Sequence, residues 1–320
     1  MKSSCILAVG GTGFLGRHVA ARLSADNRRV VVPTRRLERA RHLLLLPTVE
    51  VIPRGITEDA DLDALIAGCD AVINLVGILH GSTGEPYGPE FAQAHVELPR
   101  RLVQACLRNG VRRFVHVSAL GVPDTDQGTA PSMYLRSKAD GERVVREAHG
   151  LDWTIMRPSV IFGPEDRFLN MFATMQRFLP LIPLARASAK LQPVYVGDVA
   201  QAIVNALDDP NTFGKTYELA GPDVFTLEEL VRLAGRWSGH PRHVWALPFT
   251  LGQMQAAALE FAPGPALMSR DNFQSLSVDN VASAPIAPEL GVVPTPLAAV
   301  APDYLSRRVR YNEERMRAHR

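Results

Sequence analysis

Three glycines near the start of the chain, three residues apart, constrain its fold more than any other feature. Gly10, Gly13 and Gly16 follow the apolar run CILAV and precede FLGRHVAARLSA, which has helical periodicity. In a strand–turn–helix unit of this kind, the glycines allow a tight turn, close approach of a pyrophosphate and close helix packing. A tight turn without a ligand is the alternative. We expect dinucleotide binding by Gly10, Thr12, Gly13, Phe14, Leu15 and Gly16.

The rest of the first half alternates apolar runs with amphipathic segments of helical length. RVVVP, VEVIP, DAVINLV, RRFVHVS and DWTIMRP are typical of buried parallel strands. LERARHLLLL, DLDALIAG, FAQAHVELPRRLVQACLRNG and YLRSKADGERVVREAHG are expected to be the connecting helices. The alternation predicts an α/β fold, a Rossmann-type doubly wound parallel sheet with helices on both faces.

After about Gly163 the alternation loosens and prolines cluster. LQPVYVGDVAQAIVNAL predicts a strand and then a helix, and TLEELVRLAGRWSG predicts a helix capped by Thr226. We predict a dinucleotide-binding core at 1–163 and a mixed segment at 164–305. This segment would return strands to the sheet and form a small, mostly helical substrate lobe over its carboxyl edge. The charged tail at 306–320 is expected to be a solvated helix, with a basic contact to a membrane or partner as the alternative.

Composition excludes several classes of function. The chain is 46% hydrophobic with a net charge of +2, which is ordinary for a globular protein and gives no reason to expect nucleic acid as a partner. The three cysteines suit a reducing compartment, and Cys5 and Cys106 are expected to be buried thiols. No signal peptide or transmembrane segment is predicted, so we expect a cytoplasmic location, with a peripheral position at the inner membrane as the alternative.

The residues after the second predicted strand indicate which dinucleotide is bound. Proteins that prefer NAD place an acidic residue here for the ribose 2′-hydroxyl, whereas this chain has Thr34, Arg35 and Arg36. A guanidinium group matches a phosphate bidentately. We therefore predict NADP(H) in preference to NAD(H), with Arg35 as the first candidate for the 2′-phosphate and Arg36 as the second. Solvated basic residues at a helix start are the alternative.

A tyrosine and a lysine four residues apart form the candidate reaction centre. Tyr134 and Lys138 in YLRSK would lie on one face of a helix, and Ser118 ends a strand just upstream. A lysine at this spacing can depress the pKa of the phenol and bind the nicotinamide ribose. The tyrosine can then exchange a proton with a substrate oxygen during hydride transfer. We predict Tyr134, Lys138 and Ser118 as catalytic residues that also contact the cofactor.

In this combination the chain resembles the short-chain dehydrogenase/reductase superfamily, in its extended or atypical, epimerase/dehydratase-like branch. The motifs that carry the resemblance are GGTGFLG, INLVG, VHVSALG, YLRSK, RPSVIFGP and PVYVGDVA, which span about the first two thirds of the chain. More narrowly, HVELPRRLVQACLRNGVRRFVHVSALG, YLRSKADGE, FGPEDRFLN and SVDNV are similar to one subgroup. This is the subgroup of the nucleotide-binding accessory subunit of mitochondrial complex I and its bacterial relatives.

The superfamily resemblance implies an oxidoreductase that transfers hydride to or from a small carbonyl, alcohol or sugar-nucleotide substrate. It makes Tyr134 the acid/base and Lys138 its partner, and it adds five cofactor contacts: Val76, Gly77, Pro158, Ser159 and Val160. The subgroup resemblance implies two alternatives. One is a quinone-related substrate. The other is a non-catalytic, NADPH-binding accessory or structural protein of a respiratory or ubiquinone-biosynthesis complex, associated peripherally with a membrane protein complex.

The sequence departs from the superfamily pattern at two positions. Active members usually carry a second Ser or Thr after the fifth strand, where this chain has Ala119 and Leu120. Gly55 stands where an acidic residue commonly contacts adenine. The first departure weakens the prediction of catalysis, and the second weakens one cofactor contact.

Acidic residues at two predicted helix starts have structural explanations. Asp59, Asp61 and Asp63 alternate at the beginning of a helix and suit its positive end. They lack the further ligands of a metal site, so we predict no metal. Asp198 is expected to cap the helix after VYVG.

Five other residues each have a functional and a structural interpretation. His95 would either help to relay protons or be a structural histidine at the edge of the cofactor. Arg167 and Arg186 would either bind an anionic group of the substrate or be solvated. Met254 and Met268 would either line a prenyl or quinone channel or pack in the core of the small lobe.

Overall fold

The computed structural model describes residues 3–123, 130–260 and 269–306. The strands are β1 Cys5–Val9, β2 Arg29–Pro33, β3 Val49–Ile52, β4 Ala71–Asn74, β5 Arg113–Val117, β6 Asp152–Pro158, β7 Ile161–Phe162, β8 Leu181–Leu184, β9 Lys190–Leu191, β10 Val194–Tyr195, β11 Lys215–Leu219, β12 Phe225–Thr226 and β13 His243–Ala246. The α-helices are α1 Phe14–Ala25, α2 Asp59–Ile66, α3 Pro89–Ala92, α4 Leu98–Arg108, α5 Met133–Arg146, α6 Phe168–Phe178, α7 Val196–Asp208, α8 Leu227–Trp237, α9 Phe249–Glu260 and α10 Arg270–Ser275.

Seven strands form one parallel sheet in the order β11–β6–β5–β4–β1–β2–β3. The order reverses between β1 and β4, which creates the crevice where doubly wound sheets bind ligands. The six predicted strands of the first half all belong to this sheet. The predicted Rossmann-type α/β fold is therefore confirmed.

Helices cover both faces of the sheet, which explains why its strands are apolar throughout. All five residues of β1 and all five of β5 are buried. The helices α2, α4 and α5 contribute Leu62, Leu102 and Val145 to one core cluster with the sheet, while α1 packs against α7. Burial on both faces leaves no solvent side for polar residues, so the strands do not alternate in polarity.

The prediction of an α-helix over LERARHLLLL is wrong in type. Leu37–Leu43 forms a 3₁₀-helix, in which Ala40 and Leu43 are buried. Leu44 and Leu45 beyond it are 62% and 85% exposed. The two buried residues are three apart, the spacing that aligns side chains on one edge of a 3₁₀-helix. The segment therefore buries side chains along one edge only, whereas an amphipathic α-helix would bury a wider stripe of apolar side chains.

The segment FAQAHVELPRRLVQACLRNG is helical as predicted, but a π-helical turn, Gln93–Glu97, separates α3 from α4. Pro99 has no N–H group to bond the carbonyl oxygen of His95, four residues earlier, and such positions are accommodated by local changes of helix type. A side chain on Gly141 of α5 would place its Cβ 2.0 Å from this carbonyl oxygen. The glycine therefore allows α5 to approach the π-helical turn closely.

The chain forms two compact units. The first comprises Met1–Pro158, Val196–Leu219 and Ala284–Val293, and it contains the parallel sheet. The second comprises Ser159–Tyr195, Ala220–Ser283 and Pro294–Arg320, and it contains α6, α8, α9, α10 and three short strand pairs. The boundaries predicted at 163 and 305 stay a prediction. Nearly all of the predicted tail, 307–320, lies outside the described residues.

Helix α8 begins as the sequence predicts. The Thr226 side chain accepts a hydrogen bond from the Glu229 amide, and the Glu229 carboxylate accepts one from the Thr226 amide. This reciprocal pair is a capping box. The predicted strand and helix of LQPVYVGDVAQAIVNAL are β10 and α7. Asp198 lies inside the first turn of α7 and not at its N-cap, so its predicted capping position is wrong.

The three cysteines are buried and free, as expected for Cys5 and Cys106. Cys5 and Cys69 are neighbours in space, with their sulfurs 3.6 Å apart. In the described part of the chain, every helix is too short or too polar to cross a bilayer.

Candidate functional site

The glycine turn between β1 and α1 has the shape that a pyrophosphate requires. Gly10 has a φ of +87°, a left-handed conformation that glycine adopts without strain. A Cβ on Gly16 would lie 2.4 Å from the carbonyl oxygen of Gly10, so only glycine permits this contact between helix and turn. Gly13 is the N-cap of α1, and no side chain among the described residues caps that helix. Its first amides therefore point into the turn without a side-chain acceptor, and the residues fit a dinucleotide pyrophosphate.

Two arginines follow β2 and face solvent. The Thr34 hydroxyl accepts a hydrogen bond from the Arg36 amide and donates one to the Arg36 carbonyl oxygen, which fixes the turn. Arg35 and Arg36 are exposed, and neither guanidinium forms an ion pair with a described residue. Their positive charges are therefore available to an anionic ligand at this end of β2.

Tyr134 and Lys138 lie in the first two turns of α5, which Ser132 caps by accepting a hydrogen bond from the Leu135 amide. The Nζ atom of Lys138 donates a hydrogen bond to the carbonyl oxygen of Val117, at 3.1 Å. Burial lowers the pKa of Lys138 to about 8. The expected lowering of the Tyr134 pKa by Lys138 is wrong for the free protein, because burial raises this pKa to about 12 and keeps the phenol protonated at neutral pH.

The loop after β4 lies against this lysine. A Cβ on Gly77 would be 3.3 Å from the Nζ of Lys138, so the absent side chain leaves room for the ammonium group. The Asn74 side chain accepts a hydrogen bond from the Val76 amide at 3.2 Å. Asn74 therefore holds the start of the loop that the sequence assigns to cofactor binding.

His95 is buried beside Tyr134, with the two ring centres 5.6 Å apart. Its Nε2 accepts a hydrogen bond from the Ile78 amide at 3.1 Å, which leaves Nδ1 as the donor to Ser137 at 2.8 Å. Burial lowers the pKa of His95 to about 2, with a smaller contribution from the charge of Lys138. Both ring nitrogens are occupied, which favours the structural interpretation of His95 over proton relay.

Ser118 is buried directly after β5. Within the described ranges, its hydroxyl has no hydrogen-bond partner. His116, on the same side of β5, accepts a hydrogen bond from the Asn74 amide at 3.1 Å, and burial lowers its pKa to about 3. Ala119 and Leu120, the departures after Ser118, are buried apolar side chains. Ser118 is therefore a buried hydroxyl at the end of β5 with no partner among the described residues.

Pro158 ends β6 in the first unit, whereas Ser159 and Val160 belong to the second unit. The Ser159 hydroxyl and the Val160 amide both donate to Asn280 Oδ1, at 2.5 Å and 3.1 Å. Asn280 stands in SVDNV, one of the motifs of the subgroup. Ser159 and Val160, both predicted to contact the cofactor, are thus hydrogen-bonded to a residue of a subgroup motif in their own unit.

The three aspartates at the start of α2 form ion pairs. Asp59, Asp61 and Asp63 pair with Arg101, Arg54 and Arg108 respectively. Throughout the described ranges, no cluster of His, Cys, Asp and Glu is arranged to hold a metal.

The remaining candidates lie in the second unit. Arg186 has a φ of +55°, and its guanidinium carbon lies 4.9 Å and 4.4 Å from the ring centres of Phe249 and Phe273. Arg167, the N-cap residue of α6, is exposed. Met254 is 68% exposed, which contradicts core packing, because α9 buries Gly252 and Ala256 instead. Met268 lies outside the described residues.

Sequence reasoning missed Asn74, His116 and Ser137. Asn74 and His116 are polar residues inside otherwise apolar strands, which is the signal that would have identified them. Ser137 lies between Tyr134 and Lys138 in YLRSK, and the prediction used only the tyrosine and the lysine of that motif. Its hydroxyl bonds His95 and the Tyr134 carbonyl oxygen, so it links the motif to the π-helical turn.

Comparison with curated proteins places this architecture among known relatives. The chain is 38% identical over 294 residues to the mitochondrial NADH dehydrogenase [ubiquinone] 1 alpha subcomplex subunit 9 of Arabidopsis thaliana, covering 86% of this chain and 70% of the relative. The Mus musculus protein of the same name is 34% identical over 310 residues, covering 94% and 80%. The 40 kDa subunit of Neurospora crassa NADH-ubiquinone oxidoreductase is 30% identical, covering 92% and 77%.

Solved structures share the fold at low identity. The dTDP-glucose 4,6-dehydratase DesIV of Streptomyces venezuelae, solved with NAD and TYD bound, superposes with a TM-score of 0.71 at 23% identity, covering 97% of both chains. A nucleoside-diphosphate-sugar epimerase of Staphylococcus aureus gives a TM-score of 0.70 at 17% identity, covering 96% of this chain and all of the other. Residues 6–220 match the sequence profile of the NAD dependent epimerase/dehydratase family. The chain therefore belongs to the NAD dependent epimerase/dehydratase family, whose members bind nicotinamide dinucleotides, and it is homologous to the complex I subunits named above.

Proposed function

We propose that this protein is an NADP(H)-dependent oxidoreductase that reduces a small carbonyl, sugar-nucleotide or quinone-type substrate. The observation that carries the proposal is the placement of Tyr134 and Lys138 on one face of α5, with the Ser118 hydroxyl buried at the adjoining strand end. The cytoplasmic location stays a prediction.

The proton chemistry of the site fits carbonyl reduction. A phenol with a pKa of about 12 carries its proton at neutral pH and can donate it to a carbonyl oxygen. The ammonium of Lys138, whose pKa is about 8, is mostly charged at pH 7 and would hold the nicotinamide ribose. Ser118 would orient the substrate oxygen. When bound, the reduced nicotinamide supplies the hydride.

The preference for NADP(H) is supported by the two exposed arginines after β2. Arg35 and Arg36 form no ion pair with any described carboxylate, so a 2′-phosphate would gain charge-assisted hydrogen bonds without displacing an existing partner. NAD(H) offers a neutral hydroxyl at the same place. Gly10, Gly13, Gly16 and the first turn of α1 would hold the pyrophosphate of either dinucleotide.

A second function, non-catalytic binding of NADPH in an accessory protein of a membrane-associated complex, is favoured by a different observation. The curated relatives at 34–38% identity are named as subunits of NADH dehydrogenase, an assembly that acts on ubiquinone. The apolar pair Ala119 and Leu120 after Ser118 favours the same interpretation, because active superfamily members usually carry a second hydroxyl there.

The Tyr134→Phe variant separates the two functions. If the protein is a reductase, this variant still binds NADPH, but its turnover of NADPH with an active carbonyl or quinone falls by about a hundredfold or more. If wild-type protein consumes no NADPH with a panel of carbonyls, quinones and cell extract, and cells carrying Tyr134→Phe grow as wild type, the accessory function is favoured. Direct titration with NADPH and NADH tests the cofactor preference, and equal affinities would contradict it.

A further inference from the structure

Two stretches of the second unit contain no acidic residue. Residues 167–195 and 230–259 lack aspartate and glutamate and carry seven lysines and arginines, whereas 33 of the 320 residues of the chain are acidic. The strands β8 and β13, one from each stretch, pair with each other, so the two stretches meet in the structure. The second unit therefore has two adjoining chain segments that carry positive charge and no negative charge of their own.

The same two stretches expose large apolar side chains. Seven of the fifteen large hydrophobic side chains exposed among the described residues lie in them. We call this set the β8–α9 surface: Phe178, Leu179, Leu181, Trp245, Phe249, Leu251 and Met254. Single exposed apolar residues are ordinary, but a concentration of this kind marks a contact surface.

The surface follows one side of the β8–β13 pair. Leu181 is paired with His243, and both are exposed, whereas Ile182 and Val244 face the core. Trp245, two residues after His243, points to the same side as His243, since alternate residues of a strand share a face. The surface therefore continues along both strands.

Helix α9 extends this surface. It turns Gly252 and Ala256 inward, towards Ala185, and leaves Leu251 and Met254 outward. The side chain of Gln255 donates a hydrogen bond to the Pro183 carbonyl oxygen at 2.8 Å, which holds the helix beside β8. Before Glu260 the helix has no charged residue. The exposed face of α9 is therefore uncharged, and it combines Leu251 and Met254 with the polar Gln253.

Two arginines adjoin this apolar set. The guanidinium of Arg177 lies 5.8 Å from the Phe178 ring centre. Arg186 rests on the Phe249 ring and forms no ion pair within the described ranges. Beside it is a pocket of about 370 Å³ that Glu228 also lines, but that carboxylate pairs with Arg232 at 2.6 Å. Arg177 and Arg186 therefore have no carboxylate partner among the described residues.

We propose that the β8–α9 surface docks on the surface of an anionic phospholipid bilayer. Aromatic and aliphatic side chains would enter the interfacial layer, where Trp and Phe are favoured, while the arginines meet lipid phosphates. A symmetric contact with a second copy would bury the arginines of both copies in one interface, with no carboxylate from these stretches to pair with them. This docking is to lipid, and it requires neither catalysis nor the nucleotide.

Vesicle flotation of the full chain tests the proposal. We expect binding to phosphatidylcholine vesicles containing about a quarter phosphatidylglycerol, and about tenfold weaker binding to phosphatidylcholine alone or in high salt. Trp245→Ser combined with Met254→Ser should lower binding about tenfold or more, since both residues are exposed and their loss leaves the core intact. Arg177→Glu should lower it as well. The matched controls are Leu45→Ser and Arg112→Glu, exposed residues of the first unit that should bind as wild type.

Thermal melts and light scattering complete the test. Unchanged melting temperatures in the variants exclude unfolding as the cause of lost binding. The proposal is overturned if wild-type protein does not float with anionic vesicles, or if the surface variants float as well as the controls. It is also overturned if the wild type is a dimer that the Trp245→Ser, Met254→Ser protein converts to a monomer without any change in vesicle binding, which would assign the surface to self-association.

Discussion

Lys138 donates a hydrogen bond from its Nζ to the carbonyl oxygen of Val117, at 3.1 Å, and this bond ties the second turn of α5 to the end of β5. The lysine is held in place by the protein itself, before any ligand binds. The site therefore carries a buried positive charge whose desolvation is only partly offset, and the first two predictions concern this charge.

Stability should depend on Lys138 in a defined pH window. Because burial lowers its pKa from 10.5 to about 8, the unfolded chain binds more protons than the folded one between these values. The free energy of unfolding should therefore gain up to roughly 3 kcal/mol from this residue as pH rises from about 8 to 10.5. Lys138→Met should lack this gain and be at least as stable as wild type at pH 7. Denaturant melts at pH 7 and 10 measure it, and parallel curves for both proteins would contradict it.

The pH dependence of activity should follow the titration of Lys138 and not that of His95 or His116. The rate constant kcat/KM for NADPH-dependent reduction should fall as pH rises through about 8, where the Lys138 ammonium loses its proton. No inflection is expected near 6.5, because the pKa values of His95 and His116 are lowered to about 2 and about 3. A pH–rate profile from pH 5 to 10 is the measurement. An inflection near 6.5 that disappears in His95→Asn would restore the proton-relay interpretation.

Arg35→Ser should raise the Kd for NADPH by about tenfold or more and leave the Kd for NADH within about threefold, since the proposed function gives this guanidinium a contact with the 2′-phosphate alone. Arg41→Ser, an exposed arginine in the adjoining 3₁₀-helix, is the matched control and should change neither value. Fluorescence titration with both dinucleotides gives the constants. Equal weakening of both by Arg35→Ser would show that the residue acts on the fold of the turn.

Gly16→Ala should destabilise the protein by about 1–3 kcal/mol and abolish dinucleotide binding, because the new Cβ would meet backbone atoms of Gly10 and Gly11 at 2.4 Å and 2.6 Å. Gly55→Ala is the control, since its Cβ would have its nearest neighbour at 3.6 Å. Chemical denaturation and NADPH titration measure the two effects. A Gly16→Ala protein as stable as Gly55→Ala would mean that the turn can relax.

Glu142→Gln should cost about 3–5 kcal/mol, because it removes one partner of a buried ion pair. Both carboxylate oxygens of Glu142 accept hydrogen bonds from Arg157 at 2.8 Å, and the side chain is fully buried. Urea melts of this variant should be compared with Glu97→Gln, whose partner Arg100 is exposed and whose loss should cost less than about 1 kcal/mol. Similar losses in both would exclude the buried pair as a determinant of stability.

The sheet could be predicted from sequence because its strands are buried on both faces, so apolar runs mark them directly. The glycine turn was predictable for a related reason, since steric limits at Gly10 and Gly16 leave one residue type. The segment Leu37–Leu43 was predicted as an α-helix and is a 3₁₀-helix, because a short run of leucines does not reveal which of its side chains are buried. The close packing of Gly141 against the π-helical turn at Gln93–Glu97, from more than forty residues away, has no signal in the local sequence.

Some residues of the candidate site likewise have a local signal in the sequence, and others do not. Tyr134 and Lys138 were found by their spacing within one helix, a local property. The tautomer of His95 depends on a partner in a distant loop, Ile78, and the exposure of Met254 depends on what α9 packs against. Such contacts between sequence-distant residues carry no local signal.

The order of segments in the first unit has a consequence during protein synthesis. Strand β11, the edge strand that pairs with β6, leaves the ribosome after the whole of 159–195, a segment of the other unit. For that interval the nascent sheet presents β6 as an open edge, with its backbone groups unpaired and able to add a foreign strand. A chaperone that shields nascent chains should therefore raise the yield of this protein most if it engages between the emergence of β6 and that of β11.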